Sequence, residues 1–310
     1  MNEISGIKDI LVYLPREIKG VIEKIDEEIK REIEEIRIRA EAPLTVQVRG
    51  ECCFVTSVGG ITNNATNSYI VSRAELQKAF MLICDNSVYA HTNELVQGFI
   101  TLKGGHRVGV CGKAVLENEK IKTFKDISSL NYRIAKEVVG AADSVINHVV
   151  CNESVLSTLI ISPPRWGKTT LLRDLARQIS NAGFVTGIVD DRGEIAAMYD
   201  GVPQNDVGAQ TDILDNVHKS QGVLMLLKTM APDVIINDEI ASEEDAEAIS
   251  LAAGTGVAII ATTHGTRIED VKNRQILNPL FDKKVFKRVL LIERRFSKEE
   301  PFMSIKAVKI

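Results

Sequence analysis

The sequence predicts an α/β protein in two parts, a smaller α+β domain over residues 1–148 and a larger domain over 149–310 built on a parallel central sheet. Three observations carry this reading. Beyond about residue 150, short runs rich in β-branched residues alternate with helical patterns, as parallel strands joined by crossover helices do. One of those runs leads straight into a glycine-lysine turn that opens a leucine-rich helix. Before residue 150 the apolar period instead switches between 3.6 and 2 without such alternation.

In the first part, residues 8–35 are charge-dense. Val21, Ile22, Ile25, Ile29 and Ile33 recur at near-helical spacing, which predicts one amphipathic helix with a solvated charged face. Ile36 and Ile38 then alternate with arginines, "EAP" breaks the run, and Leu44, Val46 and Val48 alternate again, so a β-hairpin is expected. Ser72 and Glu75 form a capping box ahead of a helix ending near Ile83. "KGGHRVGVCGKAVLE" reads as a glycine turn leading into a strand, and "SSLNYRIAKEV" as another strand.

In the second part, "STLIIS" is a buried strand, and "KTTLLRDLARQISNAG" a helix with Leu171, Leu172, Leu175 and Ile179 inward and Gly183 as its stop. "FVTGIVD", "DVIIND" and "VAIIATT" are three further strands. Between the last two, Ser242 caps a helix that ends at Gly254.

The bulk numbers restrict the function classes. A chain of 310 residues can bury two cores. Five cysteines, two of them adjacent and none in a C-x-x-C pair, fit neither a disulfide framework nor a zinc site and point to a reducing compartment. No apolar run approaches the ~20 residues of a membrane span, and the N-terminus lacks the order of a secretory signal. A cytoplasmic protein is expected. The net charge of −4 and aromatic content of 5% give no footprint for nucleic acid.

Three chemical signals follow one another. "ISPPRWGKTT" stands where strand gives way to helix, so backbone N–H groups and a helix N-terminus face any phosphate there. Its residues Ser162, Pro163, Pro164, Arg165, Trp166, Gly167, Lys168, Thr169 and Thr170 are candidate ATP contacts. Lys168 is suited to the β- and γ-phosphates, and Thr169 to Mg²⁺. Next, "DVIINDE" ends an apolar strand in two carboxylates, with Asp238 placed for Mg²⁺ and Glu239 for the attacking water. Finally, "GVAIIATTHG" ends a strand in Thr262, Thr263 and His264. The segment "VDDRGE" adds Asp190, Asp191 and Glu194 around Arg192, read either as a self-neutralising loop or as a source of a carboxylate near the γ-phosphate.

With "EEIRIRAEAPL", "GFITLKGGHRVGVCG", "DISSLNYRIAKEVVG", "TTLLRDLAR", "GVPQNDVGAQTDILD" and "APDVIINDEI", the chain resembles the stage III sporulation protein AA family nearly end to end. That family is similar to the ATPases of type II and type IV secretion and of pilus retraction. The resemblance implies a RecA-like P-loop ATPase domain behind an N-terminal domain, and hexameric rings. It also implies an acidic box at "VDDRGE" and a histidine box at "TTHG", giving Glu194 and His264 catalytic roles. Ring ATPases of this kind bring arginines to the phosphates from the N-terminal domain or a neighbouring subunit; Arg107 and Arg133 are the candidates. A place on the mother-cell side of the forespore membrane, docked onto membrane proteins of a channel, is implied as well. The sequence departs from the pattern at Ser162, Arg165, Trp166, Gln210 and Asn237. If Ser162 took left-handed geometry, the strain would be about 1–2 kcal/mol.

The leading expectation is a Mg-ATP hydrolase. Its rivals are a nucleotide-binding scaffold or sensor without efficient turnover, and a RecA-like motor on nucleic acid.

Overall fold

The computed structural model describes residues 6–135, 138–164, 166–296 and 301–310. The chain divides into two compact units, Met1–Glu137 with Tyr199–Gln204, and Val138–Met198 with Asn205–Ile310. The division falls ahead of the 148/149 boundary expected from texture. Ala142, Val145 and Val149 belong to the core of the second unit, and the Ala142 N–H donates to Asp174 Oδ2 at 2.8 Å.

The first unit holds a seven-stranded antiparallel sheet in the order Ile61–Thr62, Glu51–Val55, Thr45–Val48, Ile33–Arg39, Lys120–Arg133, Arg107–Glu117, Phe99–Thr101. The expected hairpin around "EAP" is present, with Ile36 opposite Val46. Its Ile36, Ile38, Leu44 and Val46 side chains are buried. Ser72 and Glu75 form both halves of the capping box on the helix Arg73–Ile83. The single helix expected over 8–35 is not formed. Helices Arg16–Glu23 and Glu27–Glu32 replace it, because the Asp26 side chain accepts from the Glu28 N–H and starts a new helix. Ile33 then opens a strand. The apolar spacing that suggested continuity serves the same core from separate elements.

In the second unit the sheet order is Thr211–Asp215, Thr186–Asp190, Val234–Glu239, Ala258–His264, Thr158–Ser162, Arg288–Phe296, Pro301–Lys309. Every neighbouring pair whose register is described is parallel except the last, which is antiparallel. The four predicted strands form its centre. Successive residues of these buried strands serve opposite faces. Ile160, Ile188, Val234 and Ile236 pack with Leu171, Leu172, Leu175 and Ile179 of the helix Lys168–Asn181. Leu159, Ile161, Val189, Ile235 and Ile259 pack with Val223, Leu226, Ile249 and Ala252 of the helices Lys219–Thr229 and Glu243–Gly254. Because the central strands are parallel, their carboxyl ends and the loops that follow share one edge, the usual place for a ligand in such sheets. No described helix is long and apolar enough to cross a membrane.

Candidate functional site

The glycine-lysine turn is shaped by its neighbours. Ser162 is the last residue of the strand, fully buried and in parallel register with His264. Its backbone is extended, so the left-handed strain considered for it does not arise. Its hydroxyl donates to the Pro163 carbonyl at 2.9 Å. The left-handed turn is taken by Gly167, at φ 74°, which N-caps the helix Lys168–Asn181 without any side-chain cap. A side chain at that φ would be strained. The first amides of this 14-residue helix have no intrahelical acceptor and carry the positive end of its dipole, so they present an anion site. Lys168, Thr169 and Thr170 form the first turn, and Pro163, Pro164 and Trp166 the approach to it; Trp166 also packs against the core of this unit. Arg165 lies outside the described residues.

Lys168 is only 8% exposed, and its Nζ lies 2.8 Å from His264 Nδ1. His264 Nε2 in turn lies 3.2 Å from Glu239 Oε2. An ammonium has no lone pair, so Nδ1 accepts from Lys168, which leaves Nε2 as the protonated nitrogen facing the Glu239 carboxylate. Burial lowers the Lys168 pKa, while the Glu239, Asp238 and Glu194 carboxylates act in the opposite direction. Three candidate residues separated in sequence are thus brought together, Lys168 hydrogen-bonded to His264 and His264 beside Glu239, and Asp238 and Glu194 contribute to the field at the lysine. Asp238 is oriented by the Thr262 hydroxyl, which donates to Oδ1 at 3.1 Å.

The acidic segment sorts into two roles. The buried Asp190 carboxylate accepts from the N–H groups of Glu194 at 2.8 Å, Ile195 at 3.1 and 3.2 Å, and Ala196 at 2.8 Å. Asp190 therefore folds the turn. Arg173, on the loop helix, donates to the Glu194 and Ile195 carbonyls at 2.7 and 2.8 Å, tying that turn to the helix. Glu194 is left as the carboxylate of this segment that acts on Lys168.

Arg107 and Arg133 belong to the first unit, where they are paired directly across neighbouring strands. The Arg107 guanidinium lies 4.8 Å from the centre of the Phe99 ring. Arg133 Nε lies 3.6 Å from Glu35 Oε1, and Arg37 and Asn131 also donate to Glu35. Arg133, Arg37 and Asn131 gather around Glu35, in the same cross-strand row as Arg107.

Of two further polar residues of the second unit, Lys219 escaped the sequence reading, while Asn237 stood out there only as a departure from the family pattern. Lys219 donates to the Glu239 carbonyl at 2.7 Å; nothing in "VHKSQG" distinguishes it from a solvated lysine. Asn237, fully buried, has neither side-chain polar atom hydrogen-bonded among the described residues. Its only signal was polarity within an apolar strand.

Comparison with known proteins extends this picture. The fold is similar to the pilus retraction motor PilT in its ADP-bound crystal structure, with a TM-score of 0.62 at 14% identity, covering 94% of this chain and 81% of that one. It is also similar to the ATPase DotB of Legionella pneumophila, with a TM-score of 0.57 at 15% identity over 89% and 77%. In sequence, the chain is 39% identical over 300 residues to stage III sporulation protein AA of Bacillus subtilis (strain 168), covering 95% of this chain and 91% of the relative. The family described as "Sporulation stage III, protein AA" matches residues 5–302, so the chain belongs to that family.

Proposed function

We propose that the chain is a Mg-ATP hydrolase whose RecA-like second unit binds the nucleotide at Gly167–Thr170 and whose turnover powers or assembles a sporulation channel. The observation that carries this reading is the grouping of Lys168, His264 and Glu239 beside an uncapped helix N-terminus. The fit to a triphosphate rests on that N-terminus and on a nearly buried lysine in its first turn. Among the described residues, no group of three His, Cys, Asp or Glu side chains could hold a metal ion alone. Mg²⁺ commonly enters nucleotide sites with one or two protein ligands and the phosphates, and Thr169 and Asp238 are the residues to hold it. When bound, it supplies charge neutralisation at the phosphate oxygens.

In this reading the γ-phosphate draws Lys168 away from His264. Glu239 stays beside His264 Nε2 and takes the proton of the attacking water. Glu194 faces the same phosphate, and Arg107 or Arg133 serves it from the N-terminal domain or from a neighbouring copy in a hexamer. A peripheral place at the mother-cell face of the forespore membrane, with membrane proteins as partners and no nucleic acid, completes the proposal; the name of the Bacillus subtilis relative supports its sporulation part.

Trp166, the single tryptophan, provides the test. Mg-ATP should change its fluorescence, Lys168→Ala should abolish the change, and Glu239→Gln should keep it while phosphate release stops. A fluorescence response without phosphate release, even with membrane partners present, would mean a sensor or scaffold. Neither response would sink the nucleotide reading altogether.

A further inference from the structure

The strand Val234–Glu239 loses regular support just where its carboxylates stand. Its pairing with Thr186–Asp190 reaches only to Asn237, opposite Val189. On its other side, the ladder with Ala258–His264 shifts register between Asn237 and Glu239. Asp238 and Glu239 are therefore fixed less by the sheet than the four residues before them.

Lys219 meets that weak point. It is the first residue of the helix Lys219–Thr229 and is 8% exposed. Its Nζ donates to the Glu239 carbonyl at 2.7 Å, and its ammonium has no other hydrogen bond or ion pair among the described residues. This is an unfavourable place for a lysine on two counts. The ammonium is taken out of water, and it stands at the positive end of a helix dipole. Gly222 shows how closely this turn is seated. A Cβ there would come 2.5 Å from Val189 Cγ1 and 3.0 Å from Val217 Cγ1. The helix is thus pressed onto the ladder row that contains Val189 and Asn237. Breaches of ordinary folding preference tend to be kept at functional sites.

We propose that Lys219 is a positioning residue for Glu239, fixing the backbone of the strand end that presents the general base. The inference rests on the ATP-hydrolysis reading above. Glu239 is met at both ends, by the Lys219 hydrogen bond at its carbonyl and by His264 Nε2 3.2 Å from its carboxylate. The second contact is linked to Lys168 and changes when Lys168 turns to phosphate. The first has no link to the phosphate loop and keeps the base in place through that change.

The test compares the full-length parent with Lys219→Met, which removes the donor, and Lys219→Arg, which restores a charged one. Mg-ATP binding is followed by Trp166 fluorescence, kcat and KM by phosphate release, and folding by thermal melting. Lys219→Met should leave the fluorescence titration and KM unchanged while kcat falls roughly 10- to 100-fold, the scale of a small misplacement of a reacting group. Lys219→Arg should recover most of that loss. If Lys219→Met does not fold, Lys219→Gln carries the same readouts. A parent with no phosphate release overturns the hydrolase reading and this inference with it. An active parent with an equally active Lys219→Met overturns the inference alone. So does a variant whose affinity falls as far as its kcat, because that pattern marks a merely structural lysine.

Discussion

Substituting Asp190 by asparagine separates a turn-forming carboxylate from a catalytic one. The native carboxylate receives three backbone N–H groups from Glu194, Ile195 and Ala196 and is 1% exposed. Asparagine keeps the shape but turns one oxygen into an NH₂ group, which then faces an N–H it cannot accept. One charge-assisted hydrogen bond, worth about 1.5–3 kcal/mol, is lost, and a buried N–H is left unmet at a further cost of about 1 kcal/mol or more. The Arg173 contacts to the same turn persist and limit the damage, so we expect a net loss of about 2–4 kcal/mol. For a unit of this size each kcal/mol moves the melting temperature by about 2–4 °C, which gives a drop of roughly 5–15 °C. Trp166 fluorescence reads the melt, because the tryptophan lies in the same unit as Asp190. Well below the melt, Asp190→Asn should still bind Mg-ATP. A variant that melts like the parent yet releases no phosphate would refute this account and place Asp190 in the chemistry.

Three further outcomes follow from the same geometry. The lowered pKa of Lys168, caused by burial, means that the free protein loses this charge at a lower pH than an ordinary lysine. Since phosphate needs the protonated form, Mg-ATP affinity should fall with rising pH above that pKa, by up to about tenfold per unit; an affinity flat through the alkaline range would refute it. Asp174→Ala removes the acceptor for the Ala142 N–H, Arg177 and Gln178 from a nearly buried position. It should cost about 3–5 kcal/mol in urea unfolding, because it leaves a partnered cation and a buried N–H unmet. Burial lowers the pKa of His106, with Asp9 opposing the shift. The unfolded chain therefore binds the proton first as pH falls, so His106 should cost the first unit stability from about pH 6.5 downward. His106→Asn, followed by hydrogen exchange of that unit between pH 7 and 5, should flatten the slope.

The legible and illegible parts of the molecule differ in how their information is spread along the chain. The four central strands of the second unit were readable because each is a contiguous β-branched run buried on both faces. The strand Thr211–Asp215 was not, since an edge strand of five residues behind "GVPQNDVGAQ" has too short an apolar run to stand out. The helix Lys219–Thr229 gave no start signal either: His218 makes no side-chain cap and Gly222 sits inside it. The apparent helix over 8–35 misled because Ile33, the first residue of a strand, fell at helical spacing from Ile29 and Ile25. At the site, Gly167 and Lys168 were legible as a contiguous motif. The hydrogen bond from Lys168 to His264 joins residues 96 positions apart, and the support of Glu239 by Lys219 depends on a ladder shift that no spacing reveals.

The segment Tyr199–Gln204 belongs to the first unit, where the Gln204 side-chain oxygen accepts from the Gly104 N–H at 2.7 Å. This bears on the order in which the protein is made. A ribosome that has finished residue 137 has produced the whole contiguous part of the first unit, but not this last piece. At about 5–20 residues per second, residues 138–204 take several seconds more to emerge. The first unit must wait that long with one contact site unfilled, while much of the second unit is already leaving the tunnel. Vectorial synthesis therefore cannot complete the two units one after the other, and a fragment cut at residue 137 is an unfinished unit.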